Sequence, residues 1–244
     1  MRKGQTGADE EVIMRQTLEQ GLTDSGIRLE PRQVDQLCCY GRLLLEKNQV
    51  MNLTAITEPA AVAQLHFLDC LQLTRLADFG GKRVIDVGCG AGFPGVPLLI
   101  AAKDLNLTLL DSTAKRIAWL QDEVLPELGL SANCVAARAE EYVKTCREQY
   151  DFAVSRAVAR LQVLAELTLP YVKVGGSFLA MKGAAAVQEA EEAEQAIRLL
   201  GGRIEKIAEY PVADAVHRVV VIRKEKPTLA KYPRRYALIK QSPL

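Results

Sequence analysis

A chain of 244 residues that is 49% hydrophobic and 25% charged has the composition of an ordinary globular protein, which excludes disordered and fibrous classes. It is long enough for one large α/β domain with a small appendage. The 31 basic and 30 acidic residues leave a net charge of +1, so overall charge carries no nucleic-acid signature. No run approaches the roughly 18 apolar residues that span a bilayer, and the first thirty residues lack a signal-peptide core, so a cytoplasmic protein with no membrane partner is expected. The six cysteines form no C-x-x-C pair and do not cluster with the two histidines. Neither a metal site nor a disulfide framework is therefore expected, and the thiols read as buried and inert.

In chain order, residues 9–80 read as helices. Apolar positions recur through Val12, Ile13, Leu18 and Leu22, then Val34, Leu37, Leu43, Leu44 and Leu45, then Val62, Leu65, Leu68, Leu71 and Leu73. Pro31 and Pro59 suit helix starts, where a missing N–H costs nothing. Residues 1–80 are read as an N-terminal helical cap.

From Lys82 the pattern changes to short β-branched runs alternating with helical stretches, which predicts βαβ units and a mostly parallel, doubly wound sheet. Parallel strands are expected at 83–87, 107–111, 133–138, 151–155 and 177–182, with helices near 95–103, 113–128, 139–148, 160–169 and 184–200. Runs at 203–210 and 218–224 are expected to close a seven-stranded sheet by antiparallel pairing. The core is thus residues 81–225, followed by a basic tail, 226–244. Between Arg223 and Lys240 stand seven basic residues and one acid, Glu225, which reads either as a cationic patch or as a solvated tail.

The run Arg83-Val-Ile-Asp-Val87 leads into Gly88-Cys-Gly-Ala-Gly-Phe-Pro-Gly95, a turn that lets backbone approach a ligand where side chains would intrude. One register, Gly90-Ala-Gly92-Phe-Pro-Gly95, fits the dinucleotide fingerprint G-x-G-x-x-G, with Asp111 about 20 residues on. Asp86 argues against a pyrophosphate, because a carboxylate there would repel phosphate seated on the next helix N-terminus. S-adenosylmethionine has no phosphate, and its ammonium and sulfonium groups favour a nearby acid. Gly88, Gly90 and Gly92 would line its methionine and ribose portions, and Asp111 would accept the ribose hydroxyls. A plain structural alternative makes Asp86 and Asp111 capping or turn carboxylates.

Methylation of an exocyclic amino group typically uses an Asn/Asp-Pro-Pro-Tyr/Phe turn after the fourth strand, whereas Ser155-Arg-Ala-Val158 stands there. No cysteine lies in a Pro-Cys context that would suit attack on a pyrimidine carbon. An acceptor that is already nucleophilic fits better. Guanine N7 has a free lone pair, so in-line transfer needs positioning and no general base. Arg156 and Arg160 follow the fourth strand and could contact phosphate or the O6/N7 edge of guanine, or else pair with neighbouring acids. His66, Tyr40 and Trp119 sit at helical spacing among apolar residues and read as core.

The sequence also resembles a known family, the RsmG (GidB) methyltransferases, which make 7-methylguanosine at guanine 527 in the 530 loop of 16S ribosomal RNA. The likeness runs through Asn48-Gln-Val-Met-Asn-Leu-Thr-Ala-Ile56, His66-Phe-Leu-Asp69, Ile85 to Leu98, Asp111-Ser-Thr-Ala-Lys-Arg116, Arg138-Ala-Glu-Glu141, Ser155-Arg-Ala-Val-Ala159 and Lys231-Tyr-Pro-Arg-Arg235. It implies a class I, Rossmann-like S-adenosylmethionine-dependent methyltransferase acting as a monomer on 16S rRNA or the small ribosomal subunit. By this resemblance Gly88, Phe93, Ala139, Glu140 and Arg156 are expected to contact the cofactor, with Asp111 near the ribose and the adenine by Ala139 and Glu140. Asn52, His66, Asp69, Lys115, Arg116, Lys182 and Arg218 match polar positions expected on the RNA side. Arg160, and Arg234 and Arg235 in the tail, join them as candidate RNA contacts. No catalytic acid or base is expected; Arg156 and Asn52 are the candidate positioning residues. Another RNA site or a small-molecule acceptor, a non-catalytic RNA-binding role and a dehydrogenase stay open on the residues alone.

Overall fold

In the computed structural model, which describes residues 3–156 and 159–244, β1 (Arg83–Val87) is buried at every position after the first, as a central parallel strand must be. Ahead of it stand α1 (Lys3–Ser25) and α2 (Pro31–Met51). Pro31 opens α2 within a reciprocal cap between Glu30 and Gln33. Asn52 closes it in the left-handed conformation, at φ 49°. A second helical run starts at Pro59 as α3 (Pro59–Val62), widens into a π-helical turn (Ala63–Leu68), resumes as α4 (Asp69–Leu71) and tightens to 3-10 geometry over Gln72–Arg75.

The βα alternation then runs through α5 (Gly95–Ala101), β2 (Asn106–Asp111), α6 (Ala114–Trp119), a π-helical turn (Leu120–Val124), α7 (Leu125–Glu127) and β3 (Asn133–Ala136). It continues with α8 (Ala139–Cys146), β4 (Tyr150–Arg156), α9 (Leu161–Thr168), β5 (Val172–Lys182) and α10 (Ala186–Leu199), before the hairpin β6 (Gly202–Val212) and β7 (Ala215–Lys224). A short α11 (Tyr236–Gln241) follows. The sheet order is β3-β2-β1-β4-β5-β7-β6. The first five strands are parallel and β7 runs antiparallel to both neighbours. The expected doubly wound, seven-stranded, mostly parallel sheet is observed. Ala157 and Val158, which fall inside one segment of the family resemblance, lie outside the described residues.

Side chains alternate across the sheet with period two. Val84, Leu107, Val154, Leu179 and Val219 join Leu18, Leu37, Tyr40 and Leu44 of α1 and α2 in one buried cluster. Ile85, Leu110, Ala153, Phe178 and Val220 join residues of α8, α9 and α10 in the other. In α10, Ala186, Ala190, Ala193 and Ile197 form a stripe spaced four, three and four, which is the buried face of a helix. The N-terminal helices therefore cover one face of the sheet, with Gln33 donating to the Ile100 carbonyl (2.6 Å) and Gln36 to that of Leu128 (2.7 Å). Trp119 and Tyr40 are buried, as expected. Cys38, Cys70, Cys89 and Cys146 are buried, whereas Cys39 and Cys134 are only half-buried.

The cationic reading of the C-terminal end needs correction. Lys224 is fully buried, donating to Glu148 (3.1 Å), the carbonyls of Leu169 (2.7 Å) and Val172 (3.2 Å), and the Thr228 hydroxyl (2.7 Å). Burial pushes its pKa down. Arg234 grips Glu166, which is itself fully buried, through four hydrogen bonds of 2.6–3.1 Å. Two of the seven basic residues are therefore taken up within the fold, Lys224 by half-buried Glu148 and Arg234 by fully buried Glu166. Glu148→Ala would leave the Lys224 ammonium without its counter-charge and is expected to destabilise the fold by about 3 kcal/mol, read as a lower urea midpoint with an unchanged slope.

Candidate active site

Parallel pairing aligns the carboxyl ends of β1, β2 and β4, with Val87 opposite Leu110 and Asp86 opposite Val154. The strand order reverses between β2-β1 and β4, where open α/β sheets form a crevice. A cleft of about 430 Å³ lies there, within the range for small-ligand sites. Its floor is the glycine turn. Gly88 and Cys89 donate to the Leu110 carbonyl (2.8 and 3.1 Å), and Gly90 donates to Asp111 Oδ2 (2.9 Å). Gly88 and Gly90 hold φ at 74° and 57°, and a Cβ built on Gly90 would point into open space.

Of the residues expected at the cofactor, Gly88, Gly90, Phe93, Asp111, Ala139, Glu140 and Arg156 line this cleft. Asp86 and Gly92 do not, and their roles are corrected. Asp86 is fully buried beneath the turn and accepts the Gly95 N–H at 2.8 Å. It thus fills the start of α5 with a protein carboxylate. The pyrophosphate objection survives for a different reason, since that N–H is already taken. Burial pushes the Asp86 pKa up to about 7 against the lowering effect of that hydrogen bond, and its Oδ1 has no partner among the described residues. Gly92, at φ 97°, has Tyr40 Oη, Val96 Cγ2 and Leu120 Cδ2 within 2.7–2.9 Å of where a Cβ would stand, so its reason is packing. Asp111 also accepts the Thr113 N–H (2.7 Å), combining the turn role with a place on the cleft wall.

Arg156 and His66 form a partition. The Arg156 guanidinium donates to the Leu65 carbonyl (2.9 Å) and to His66 Nδ1 (2.9 Å), lies 3.6 Å from Asp69 and sits 4.7 Å from the Phe93 ring centroid. Arginine offers only donors, so Nδ1 carries the lone pair and Nε2–H donates to Thr54 Oγ1 (2.8 Å). Burial first, and then the Arg156 charge, push the His66 pKa down to about 3. His66 is therefore neutral in ordinary buffers, stacked on Phe93 at 4.6 Å. On the far side of this partition a second cavity of about 650 Å³ includes Ile56, Leu65, Asp69, Met181, Lys182 and His217 in its lining, and shares Arg156 and His66 with the first.

The residues expected on the RNA side disperse. Arg116 lines the cleft and Lys182 the second cavity, where Lys182 pairs with Glu189 (2.8 Å). Asp69 is buried, accepting from Tyr210 (3.1 Å) and His217 (2.9 Å). Arg160 pairs with Glu192 and Arg218 with Glu209 (2.6 Å), the salt-bridge alternative for Arg160. Arg234 belongs to Glu166, Lys115 and Arg235 are exposed, and Asn52 is an exposed helix terminus that lines neither cavity. Thr54, Thr113, Arg138 and Tyr236 line the cleft without having been singled out for it. Thr54, Thr113 and Arg138 lie inside the motif segments; Tyr236 lies just past the last of them.

A family described as rRNA small subunit methyltransferase G matches residues 33–215. A protein of Alkaliphilus metalliredigens named ribosomal RNA small subunit methyltransferase G is 46% identical over 235 residues, covering 93% of this chain and 97% of that one. A Clostridium botulinum protein of the same name is 41% identical over 233 residues, with the same coverage. Among solved structures, TrmN from Thermus thermophilus superposes with a TM-score of 0.52 at 20% identity, over 64% of this chain and 48% of that one. A SAM-dependent methyltransferase from Aquifex aeolicus gives 0.52 at 16% identity, over 66% and 92%. These structures share the fold.

Two glycines separate packing from ligand binding. Gly92→Ala should lower stability by about 3 kcal/mol through overpacking and positive-φ strain. Gly90→Ala should cost only about 1 kcal/mol yet put a methyl group where the ligand approaches the turn and weaken calorimetric binding of S-adenosylhomocysteine; normal binding by that variant would refute the placement. Asp86 and His66 also pull stability in opposite directions. The Asp86 contribution is fully present below 3.8 and is lost as pH rises to about 7, whereas that of His66 is present above 6.5 and is lost as pH falls toward about 3. Asp86→Asn keeps an acceptor for Gly95 and removes only the first, so its stability relative to the parent should climb between those limits. Urea titrations across that range test this, and a constant offset would contradict it.

Proposed function

Because this chain belongs to the rRNA small subunit methyltransferase G family, we propose that it transfers a methyl group from S-adenosylmethionine to N7 of guanine 527 in the 530 loop of 16S ribosomal RNA. The products are 7-methylguanosine and S-adenosylhomocysteine. The coarser reading, a class I S-adenosylmethionine-dependent rRNA methyltransferase, rests on the family and the fold together. The observation that carries the finer one is the partition: two cavities share Arg156 and His66 as a common wall, one floored by the glycine turn and the other open for an acceptor.

The cleft suits the cofactor by its donor set. Gly88 and Gly90 leave backbone room, Asp111 and Glu140 supply carboxylates for hydroxyl and amino groups, and Phe93 and Ala139 supply apolar wall. When bound, S-adenosylmethionine supplies a methyl group activated by its sulfonium. The chain's own residues then have to position and shield. Arg156 is held in the partition by the Leu65 carbonyl, His66, the Phe93 ring and Asp69 at 3.6 Å, and neutral His66 adds no second positive charge beside it.

A base that must first lose a proton would need a general base within hydrogen-bond reach. The acids of the second cavity are engaged: Asp69 by Tyr210 and His217, Glu189 by Lys182 and the Leu161 N–H (2.7 Å). Guanine N7 needs no proton removed, and the O6 beside it accepts hydrogen bonds of the kind arginine gives.

Labelled cofactor with unmodified small-subunit RNA should yield 7-methylguanosine, and RNA carrying 7-deazaguanosine at the target should yield no label. Arg156→Lys, which loses the forked geometry, should lower kcat about 100-fold, the scale of losing near-attack alignment, with cofactor affinity less affected. Label on another base would overturn the N7 assignment, and transfer insensitive to RNA would favour a small-molecule acceptor.

A further inference from the structure

Tyr236, the first residue of α11, lines the cofactor cleft although it stands eight residues from the chain end. The Arg138 guanidinium lies 4.3 Å from its ring centroid and pairs with Glu140 at 3.3 Å, which places three cleft residues in one stack. The segment that delivers Tyr236 is tied down three times. Arg147 donates to the carbonyls of Thr228 (2.8 Å), Leu229 (2.9 Å) and Tyr232 (2.8 Å). Arg234 clasps the buried Glu166 of α9. Ile239, fully buried, packs on Val163 and Leu167 of the same helix.

We propose that residues 226–241 form a strap whose Tyr236 ring closes the Ala139–Glu140 end of the cleft over the purine of the cofactor, so that the C-terminal segment serves cofactor retention. The ring lies at the end of the cleft where Ala139 is held by the Tyr171 hydroxyl bonding its carbonyl (2.6 Å), and aromatic faces stack on any purine. Arg138, whose guanidinium lies over the ring at 4.3 Å from its centroid, keeps the ring in place by cation–π attraction. One of the tail's cations, Arg234, thereby has a use within the protein, at Glu166, and the segment needs no contact with nucleic acid to be held.

The inference concerns cofactor binding alone, and its test uses no RNA, so it can fail while the proposed methyl transfer stands, and the reverse. Calorimetry with S-adenosylhomocysteine should show about tenfold weaker binding for Tyr236→Ala, near 1.4 kcal/mol, and near-parental binding for Tyr236→Phe, which keeps the ring. Hydrogen exchange should show the 236–241 amides slowing when S-adenosylhomocysteine is added to the parent protein, and not in Tyr236→Ala at matched saturation. A parental dissociation constant in Tyr236→Ala, or equal losses in the Ala and Phe variants, would falsify the strap. The exchange measurement keeps the test open if Tyr236→Ala loosens α11, because unchanged exchange in the parent also overturns it.

Discussion

The turn between β1 and α5 depends on a space too small for a methyl group. At Gly92 the chain passes between Tyr40 of α2, Val96 of α5 and Leu120 of the following π-helical turn, at a φ that other residues rarely adopt. Tyr40 donates to the Ala91 carbonyl in the same place. The N-terminal helices, the sheet and the cleft floor are therefore set by one contact. Above that wedge Gly88 and Gly90 are free to face a ligand, and below it Asp86 caps α5. Three glycines in five residues thus do different things: two leave room outside the protein, and one leaves room inside.

The partition follows from the same arrangement. Phe93 leaves the turn with its ring between Tyr40 and His66, and Arg156 stacks on it from the end of β4. His66 is carried there on a π-helical turn, a geometry frequent at functional sites. The guanidinium is satisfied here by a carbonyl, an imidazole lone pair and a ring face, with the buried Asp69 carboxylate completing an ion pair at 3.6 Å. The wall between the two cavities is thus a guanidinium paired with Asp69 at 3.6 Å, beside a histidine whose pKa is pushed down to about 3.

The basic residues show why counting charge along a chain misleads. Arg223 to Lys240 reads as a cationic segment, yet Lys224 and Arg234 are bound to Glu148 and Glu166, acids 76 and 68 residues away. Arg160 and Arg218 likewise meet Glu192 and Glu209. Arg116 reaches the cleft from the first turn of α6 and Arg156 from the end of β4. Whether a cation is an interior counter-ion, a surface pair or a ligand contact depends on partners that are distant in sequence.

Periodicity and punctuation determined the layer architecture: period-two runs, helical stripes, Pro31 and Pro59 at helix starts and the glycine turn all act through local backbone preferences. β1 came out residue for residue, and the other strands within a few residues except β5, whose first half, Val172–Gly176, breaks alternation with two glycines. Gly88, Gly90 and Asp111 were legible from the glycine turn and a strand end, and Phe93, Ala139, Glu140 and Arg156 only through the family resemblance; parallel pairing brings all seven to one cleft. Only tertiary structure decided that Asp86 points inward to Gly95, that Gly92 is filled by Tyr40, that Asn52 stays at a helix terminus, and that Tyr236 returns to the cleft. Each depends on which distant side chain fills a given volume, and a one-dimensional pattern carries no information about that.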